Sequence, residues 1–210
     1  MNIAQRTLVL MNSFIKSYGP SNIKKLLWDK EFSGSKWNFI DNTAGDCVYR
    51  HLEKHAANGT ILDLGCGPGN TANELAETAY QTYIGVDISE AALAKARRRT
   101  AENGRTHKNS FVQSDFLSYM PTEKFDVILF RESMYHVPLG QIKEILDKYS
   151  KYLKTRGVFV VRMGVLGDGE TKKRPNMMMR VIETQFEVTE KRQYDGESGP
   201  TVIVFRPGSR

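Results

Sequence analysis

The chain has 210 residues, of which 40% are hydrophobic and 26% are charged, and 30 Lys and Arg against 24 Asp and Glu give it a net charge of +6. This length and composition are those of a folded globular domain and exclude bulk disorder. The longest early apolar run, 8–11, is too short for a bilayer span or a signal sequence, so we expect a cytoplasmic protein without a membrane partner.

The first part of the chain is predicted to be helical and to contain no strand. Apolar residues recur at helical spacing over 3–18, where Gly19-Pro20 ends the pattern, and again over 22–32. A turn with an isolated Trp37 follows, and 43–55 is helical again. We therefore predict a helical cover segment at 1–45, ahead of a core at 46–210 within one domain.

From Thr60 onward, strands and helices alternate. The predicted strands are 61–64, 83–88, 110–113, 125–130 and 158–163, and the predicted helices are 71–79, 90–103 and 138–153. A polar loop at 162–173 and a short helix at 175–184 precede two strands, 186–194 and 201–205, which are spaced for a hairpin. This order predicts an α/β fold with a mostly parallel sheet and helices on both faces.

The stretch ILDLGCGPGN at 61–70 is predicted to be a buried strand that runs into a glycine-rich turn. Three of its ten residues are glycine: Gly65, Gly67 and Gly69. Glycines at such a turn leave backbone N–H groups uncovered where a ligand can approach. Asp63 lies just before the turn, and Asp87 ends the next strand.

Several polar residues follow the predicted strands, which places them at one edge of the sheet. In an open parallel sheet, ligands bind at the carboxyl ends of the strands. Asp87, Asp115 and the segment 131–136 therefore line one crevice together with the glycine turn. This convergence is the main indication of function in the sequence.

A nicotinamide or flavin dinucleotide fits this turn poorly. The dinucleotide fingerprint is G-x-G-x-x-G, whereas this chain has G-x-G-x-G and Asn70 at the third position. A pyrophosphate also disfavours a neighbouring carboxylate such as Asp63, and no Lys-Ser or Lys-Thr follows to make a P-loop. A neutral or cationic ligand that contains adenosine fits better, with Asp87 placed to accept hydrogen bonds from a ribose diol.

Together, ILDLGCGPGN, GVDIS, QSDF and KFDVILF resemble the class I S-adenosylmethionine-dependent methyltransferases of the small-molecule type. The resemblance covers roughly 60–163 and extends to the last two strands. It implies a three-layer α/β sandwich with a seven-stranded, mostly parallel sheet whose last strand is antiparallel. It also implies S-adenosylmethionine as methyl donor and no metal.

The same resemblance implies a role for each matching residue. The glycine turn lies beneath the methionine part of the cofactor, with Asp63 behind it. Asp87 holds the ribose hydroxyls, and Ile88 lies against the adenine. Asp115 meets the adenine amino group with Phe116 beside the ring, although Asp115 also suits a turn and Phe116 also suits the core. Arg131 contributes mainly its backbone.

The acceptor side is predicted at Glu132, Tyr135 and His136. A Glu-x-x-x-His pattern resembles many small-molecule methyltransferases, and one helical turn would bring its two ends to the same side. We expect His136 to face the acceptor, with Tyr135 or Glu132 orienting it; the alternative is a His136 packed under the N-terminal segment. Trp37 either approaches the cofactor or acceptor or anchors the N-terminal helices.

The leading hypothesis is methyl transfer to oxygen, a hydroxyl or a carboxylate, of a small molecule. The alternatives are N-methylation of a small amine, an RNA or protein methyltransferase, and a non-catalytic cofactor-binding protein. Basic residues are not interleaved with aromatic ones, so a nucleic-acid partner is disfavoured. The basic run 172–174 favours an anionic acceptor, and we expect a monomer or a homodimer.

Overall fold

The protein forms one seven-stranded sheet with helices around it. The computed structural model describes residues 3–34, 37, 43–164, 170–196 and 199–208. The strands are β1 (Gly59–Leu64), β2 (Tyr80–Asp87), β3 (Asn109–Gln113), β4 (Phe125–Arg131), β5 (Leu153–Met163), β6 (Glu187–Gln193) and β7 (Thr201–Arg206). The helices are α1 (Ile3–Tyr18), α2 (Ser21–Ser33), α3 (Tyr49–Ala56), α4 (Asn70–Glu74), α5 (Glu90–Glu102), α6 (Ile142–Ser150) and α7 (Glu170–Gln185).

The strand order is β3-β2-β1-β4-β5-β7-β6. The five strands from β3 to β5 are parallel, and β7 lies between β5 and β6 and is antiparallel to both. The order reverses between β1 and β4, which is where parallel sheets bind ligands. The predicted fold, including the antiparallel last strand, is confirmed.

The apolar strand pattern produces two cores, one on each face of the sheet. On one face, Leu62 and Ile128 pack in the same cluster as Leu146 of α6 and Ile182 of α7. On the other face, a second cluster contains Leu52 of α3 and the alternate residues of the same strands. This burial on both faces explains why β4 is a continuous apolar run rather than an alternating one.

Two predicted helices are shorter than the sequence indicated. The helix predicted at 43–55 begins only at Tyr49, because Gly45 has a φ of +79° and the Asp46 carboxylate accepts the Val48 N–H in a local turn. Cys47 therefore lies in a turn and not in a helix. The helix predicted at 71–79 ends at Glu74, where Arg105 donates to the Leu75 carbonyl.

Two further boundaries also differ from prediction. The helix predicted at 138–153 starts at Ile142, after a single 3₁₀ turn that follows Pro138, and ends at Ser150. Leu153 already pairs with Phe125, so β5 is longer than predicted. Of the loop predicted at 162–173, residues 165–169 lie outside the described residues, whereas 170–173 belong to α7, with Pro175 inside that helix.

Candidate active site

The glycine turn joins β1 to α4, and all three glycines have positive φ values. Gly65, Gly67 and Gly69 have φ values of +84°, +53° and +75°, a region that residues with a Cβ rarely occupy. A Cβ on Gly65 would lie 2.5 Å from the Cβ of Ser133, and one on Gly69 would lie 2.7 Å from that of Ala96. Conformation therefore favours glycine at all three positions, and close packing additionally requires it at Gly65 and Gly69.

Asp87 holds the turn from the end of β2. The Gly67 N–H donates to Asp87 Oδ2 at 2.9 Å, and the Ser89 N–H donates to Oδ1 at 2.9 Å. Burial raises the pKa of Asp87 to about 6, although the backbone N–H donors favour its charged form. Each carboxylate oxygen keeps a further lone pair for a ligand hydroxyl.

Asp63 lies behind the turn, inside the sheet. It stands in register between Gly85 of β2 and Leu129 of β4, and the Tyr83 hydroxyl donates to its Oδ2 at 2.5 Å. Burial raises the pKa of Asp63 to about 6. Its hydrogen bond to Tyr83 fixes the strand just before Gly65, so the role shown is structural support of the turn.

Asp115 follows β3 and binds the second N-terminal helix. Its Oδ2 accepts from Ser21 Oγ at 2.8 Å and from Lys24 Nζ at 3.3 Å, while its Oδ1 accepts the Leu117 N–H at 3.0 Å. Asp115 thus both stabilises its own turn and ties α2 to the core. The side chain of Phe116 packs edge-on against Phe130, with its ring near the Gly65 position.

Two other predicted cofactor residues lie at strand ends with different environments. Ile88 is half-buried directly after β2, and its carbonyl accepts from Gln113 Nε2 at 3.3 Å. Arg131 ends β4, and its guanidinium donates to Asp46 at 2.8 Å rather than into the crevice. A contribution of the Arg131 backbone to the site stays a prediction.

Glu132 and Tyr135 are tied to the end of β5. Glu132 has a φ of +55°, accepts from the Arg162 guanidinium and accepts the Gly164 N–H at 2.6 Å. The Tyr135 hydroxyl donates to the Gly164 carbonyl at 2.6 Å. Because Glu132 is not helical, the helical spacing that was expected to align it with His136 does not apply.

His136 ends a 3₁₀ turn at Met134–His136 and lies against α2. Its ring meets Trp28 edge-on, with 4.9 Å between the ring centroids. Burial lowers the pKa of His136 to about 4, and the positive charges of Lys16 and Arg174 act in the same direction. The imidazole is therefore neutral near pH 7. Its contact with Trp28 shows that it packs under the N-terminal segment.

Trp37, which follows α2, packs against aromatic side chains of that helix. Its ring stacks on Phe32 at 6.0 Å and lies 5.9 Å from Trp28, and its Nε1–H donates to Glu31 at 3.0 Å. Phe32 reaches the glycine turn, since its Cζ lies 3.8 Å from a Cβ built on Gly67. The cluster therefore connects the glycine turn with His136.

A carboxylate of α2 also binds the start of α5. Asp29 Oδ1 accepts from Ser89 Oγ at 2.8 Å and from the Ala91 N–H at 3.1 Å. With the contacts to Asp115 and Gly67, α2 crosses the carboxyl ends of β1, β2 and β3. Throughout the described ranges, no group of His, Cys, Asp and Glu side chains is arranged to hold a metal ion.

The comparison with known families agrees with this geometry. A sequence profile described as a methyltransferase domain matches residues 55–197, more than half of the chain. The chain belongs to this methyltransferase family. The predicted resemblance to the class I S-adenosylmethionine-dependent methyltransferases is confirmed, and with it the enzyme class and its methyl donor.

Curated relatives of this methyltransferase are longer proteins. A sterol 24-C-methyltransferase of Aspergillus fumigatus is 25% identical over 153 residues, which cover 68% of this chain and 40% of the relative. A protein named methyltransferase phqN of Penicillium fellutanum is 31% identical over 60% of this chain and 38% of its own length. The chain thus spans about two fifths of the length of these relatives.

Solved structures share the fold of this methyltransferase. The N-methyltransferase NodS of Bradyrhizobium japonicum, in complex with S-adenosyl-L-homocysteine, has a TM-score of 0.68 and 18% identity, covering 88% of this chain and 98% of that one. A structure described as a DhpI complex with S-adenosylhomocysteine has a TM-score of 0.65 and 17% identity, covering 95% and 99%.

The methyltransferase crevice contains residues that the sequence did not single out. Lys24, Trp28, Asp29 and Phe32 of α2 all contact site residues that lie 35 or more positions further along the chain. Helical periodicity indicated that α2 exists. The apolar spacing had placed Ile23 and Leu26 on one side together with Phe32, but in the structure Ile23 and Leu26 are 38% and 63% exposed while Phe32 is buried. The expectation that the apolar residues of α2 share one core-facing side was therefore wrong for Ile23 and Leu26.

Replacing Gly65 with alanine is expected to destabilise the methyltransferase by about 3 kcal/mol, since the new Cβ would meet Ser133 at a strained φ. For a protein of this size, the thermal midpoint should fall by roughly 10 °C. The matched control is Gly140→Ala, because no atom in the described part of the chain lies within 4 Å of a Cβ at that position. Equal midpoints for the two variants would contradict the assigned packing.

Lys24→Met is expected to loosen α2, because Lys24 and Asp115 form an ion pair whose side chains are only 8% and 9% exposed. We expect chymotryptic cleavage within α2 to become about tenfold faster, as local opening becomes easier by about 1.4 kcal/mol. Lys143→Met, which removes an exposed pair with Asp147, is the control and should leave the rate unchanged. Identical cleavage rates in both variants would refute the role of Lys24.

Proposed function

We propose that this protein transfers the methyl group of S-adenosylmethionine to an oxygen atom of a small-molecule acceptor. The observation that carries the proposal is the convergence of the glycine turn, Asp87, Asp115 and His136 beneath α2. These groups follow four neighbouring strands of the sheet, at the edge where such sheets bind ligands. Residues 1–45 would act as the cover and 46–210 as the catalytic core.

The proposed cofactor contacts follow the order of the strands. The methionine part lies on the glycine turn, the ribose at Asp87, and the adenine between Ile88 and Phe116 with its amino group at Asp115. The residues fit such a ligand, since Phe32 is the one described side chain within 4 Å of a Cβ built on Gly67 and the Asp87 oxygens retain lone pairs. Asp115 would accept from the cofactor while it still binds α2.

The bound cofactor supplies an electrophilic methyl group on a positively charged sulfur. The residues of the chain then have to position the acceptor in line with that methyl group and exclude water. Trp28, Phe32 and Trp37 are suited to exclude water, because they form one aromatic cluster over the turn. Glu132 and Tyr135 stabilise the backbone at the end of β5 and would shape the acceptor side.

The electrostatics around His136 favour oxygen as the acceptor atom. Besides burial, which lowers its pKa most, the cationic side chains of Lys16, Arg174 and Lys24 disfavour a positive charge on its ring, whereas the Glu31 carboxylate favours one. A neutral but weakly basic imidazole suits an acceptor that ionises readily, such as a phenol, or one that is already anionic, such as a carboxylate. We propose that His136 accepts the proton of a hydroxyl acceptor or orients a carboxylate.

N-methylation of a small amine is the second candidate, because the similar structure of NodS is named an N-methyltransferase. A cationic surrounding weakens this candidate, since it repels a protonated amine. A cytoplasmic location, a monomer or homodimer, and the absence of a nucleic-acid partner are also part of the proposal. None of the helices in the described part of the chain has the length and hydropathy that a bilayer crossing requires.

The test is a screen of small molecules with a methyl-labelled donor. Carboxylic acids, phenols and amines of matched size are incubated with the full chain, and labelled products are separated and hydrolysed. We expect label in base-labile methyl esters or in aryl methyl ethers. Label found mainly in amines would replace the oxygen proposal with the second candidate, and no label with any class would contradict the proposed function.

A further inference from the structure

Arg174 lies in the first part of α7, beside the turn that carries His136. Its Nη2 donates to the Val137 carbonyl at 3.2 Å, and Val137 directly follows His136 in the chain. One turn further along α7, Met178 packs in the same core cluster as Met134 and Val137. The guanidinium is therefore held at the side of the crevice where the acceptor is proposed to bind.

The guanidinium of Arg174 has no negatively charged partner among the described residues. Arg174 is half-buried, its Nε atom is buried without a hydrogen-bond partner, and its described hydrogen bond is the one to the neutral Val137 carbonyl. Withdrawing a charged donor from water without a partner is unfavourable. This arrangement therefore points to an anion that binds Arg174 when the site is in use.

Two other arginines near the site have their charges balanced within the protein. The Nε atoms of Arg131 and Arg162 are also buried without a hydrogen-bond partner. However, Asp46 pairs with Arg131 at 2.8 Å and with Arg162 at 3.4 Å, and Glu132 pairs with Arg162 as well. Of these three arginines, Arg174 is the one without a described carboxylate beside it.

The same distinction holds for the cations around His136. Lys16, Arg174 and Lys24 all disfavour a positive charge on the His136 ring. Lys16 pairs with the Glu31 carboxylate at 2.6 Å, and Lys24 pairs with Asp115 at 3.3 Å. The charge of Arg174 is therefore the one in this group that a ligand can neutralise without displacing a described ion pair.

A carboxylate suits this guanidinium better than a spherical anion does. The N–H donors of arginine lie in one plane, and its Nε–H together with a neighbouring Nη–H can bind both oxygens of a carboxylate. The Nε–H of Arg174 is not used by a described residue. The basic run 172–174, which predicts an anionic acceptor, thus has one side chain in a position to bind it.

We propose that the acceptor is a carboxylic acid that also carries a hydroxyl, and that Arg174 binds its carboxylate while the hydroxyl lies at His136. This assignment rests on the proposed function, in which His136 accepts the proton of a hydroxyl acceptor. A carboxylate paired with a guanidinium is a poor nucleophile, because its charge is neutralised, so the hydroxyl is the group methylated. The aromatic contact of Trp28 with His136 favours a ring between the two groups, as in a phenolic acid.

The experiment is calorimetric titration of the full chain, saturated with S-adenosylhomocysteine, with para-hydroxybenzoate and with meta-hydroxybenzoate. Each acid is compared with its amide, which keeps the ring and the hydroxyl but has no charge. We expect at least one of the acids to bind about tenfold more tightly than its amide. Free phosphate that displaced this acid equally well would assign Arg174 to a phosphorylated acceptor and overturn the choice of a carboxylate.

Arg174→Gln should abolish the preference for the acid, because glutamine can still donate a hydrogen bond but carries no charge. The matched control is Arg206→Gln, which should keep the preference. Arg206 also has a buried Nε without a partner, but it follows Phe205, which pairs with Phe159 far from the end of β5. An unchanged preference in Arg174→Gln, or no preference in the unchanged chain for either acid, would overturn the proposal.

A second variant decides the matter if Arg174→Gln does not fold, as judged by its binding of S-adenosylhomocysteine. Arg174→Lys keeps the charge but not the planar fork, and it should weaken binding of the acid about threefold without affecting the amide. Equal binding of the acid by this variant and by the unchanged chain would refute the role of Arg174.

Binding of these acids needs no methyl transfer, so the inference and the proposed function fail separately. Label on a hydroxyl acceptor, with no preference for an acid over its amide, would overturn the role of Arg174 alone. A preference for the acid that depends on Arg174, with label mainly in amines, would overturn the oxygen acceptor and the position of the hydroxyl at His136.

Discussion

Replacing Asp87 with alanine is expected to weaken the binding of S-adenosylmethionine about a hundredfold. The change removes the acceptor for the Gly67 and Ser89 N–H groups, and it would also remove the proposed acceptor for two ribose hydroxyls. Loss of charge-assisted hydrogen bonds at a buried site costs roughly 2–3 kcal/mol, which corresponds to this change in affinity. Isothermal titration calorimetry with S-adenosylhomocysteine measures the effect directly.

The control for this variant is Asp147→Ala, since Asp147 is exposed and pairs only with Lys143 among the described contacts. It should leave the dissociation constant within about twofold of the unchanged value, as surface pairs contribute little. If Asp87→Ala bound the cofactor as tightly as the control does, the assignment of the ribose site to Asp87 would be wrong.

His136→Ala is expected to lower turnover about a hundredfold with little change in cofactor affinity. A positioned general base contributes roughly 10²–10⁴ in rate, and the weak basicity of this buried imidazole places the effect at the lower end. The measurement is the steady-state rate with the acceptor found in the screen. A hydroxyl acceptor should show the loss in kcat, whereas a carboxylate should show it mainly in KM.

The matched variant is His107→Ala, because His107 is exposed and bonds only to the Gly104 carbonyl among the described contacts. It should retain the turnover of the unchanged chain. Unchanged turnover in His136→Ala as well would limit His136 to packing against Trp28, which is the alternative that the sequence left open.

The strand ends could be predicted from the sequence because they depend on local patterns. The apolar runs fixed β1, β2 and β4, and each is followed by a polar residue that the parallel sheet brings to one edge. The glycine turn could also be predicted, because Gly65 and Gly69 have positive φ values and leave no room for a side chain. Where every local signal points to the same structure, prediction succeeds.

The cover and the acceptor side could not be derived in the same way. The contact of Phe32 with the turn at Gly67 joins residues 35 positions apart, and no periodicity encodes it. Nor does the sequence show that Glu132 adopts a positive φ, because the Arg162 and Gly164 contacts that favour it come from β5. On α1, Leu10 and Phe14 are 70% and 63% exposed while Lys16 is buried, which is opposite to the usual inference that apolar residues face inward.

The central claim is that S-adenosylmethionine binds between the glycine turn and Asp115, under α2. Hydrogen exchange of the full chain, with and without saturating S-adenosylhomocysteine, tests this placement in one measurement. The structure predicts slower exchange at 65–70, 87–90 and 114–117, together with slower exchange across α2. Unchanged exchange in these four segments, or protection confined to other parts of the chain, would contradict it.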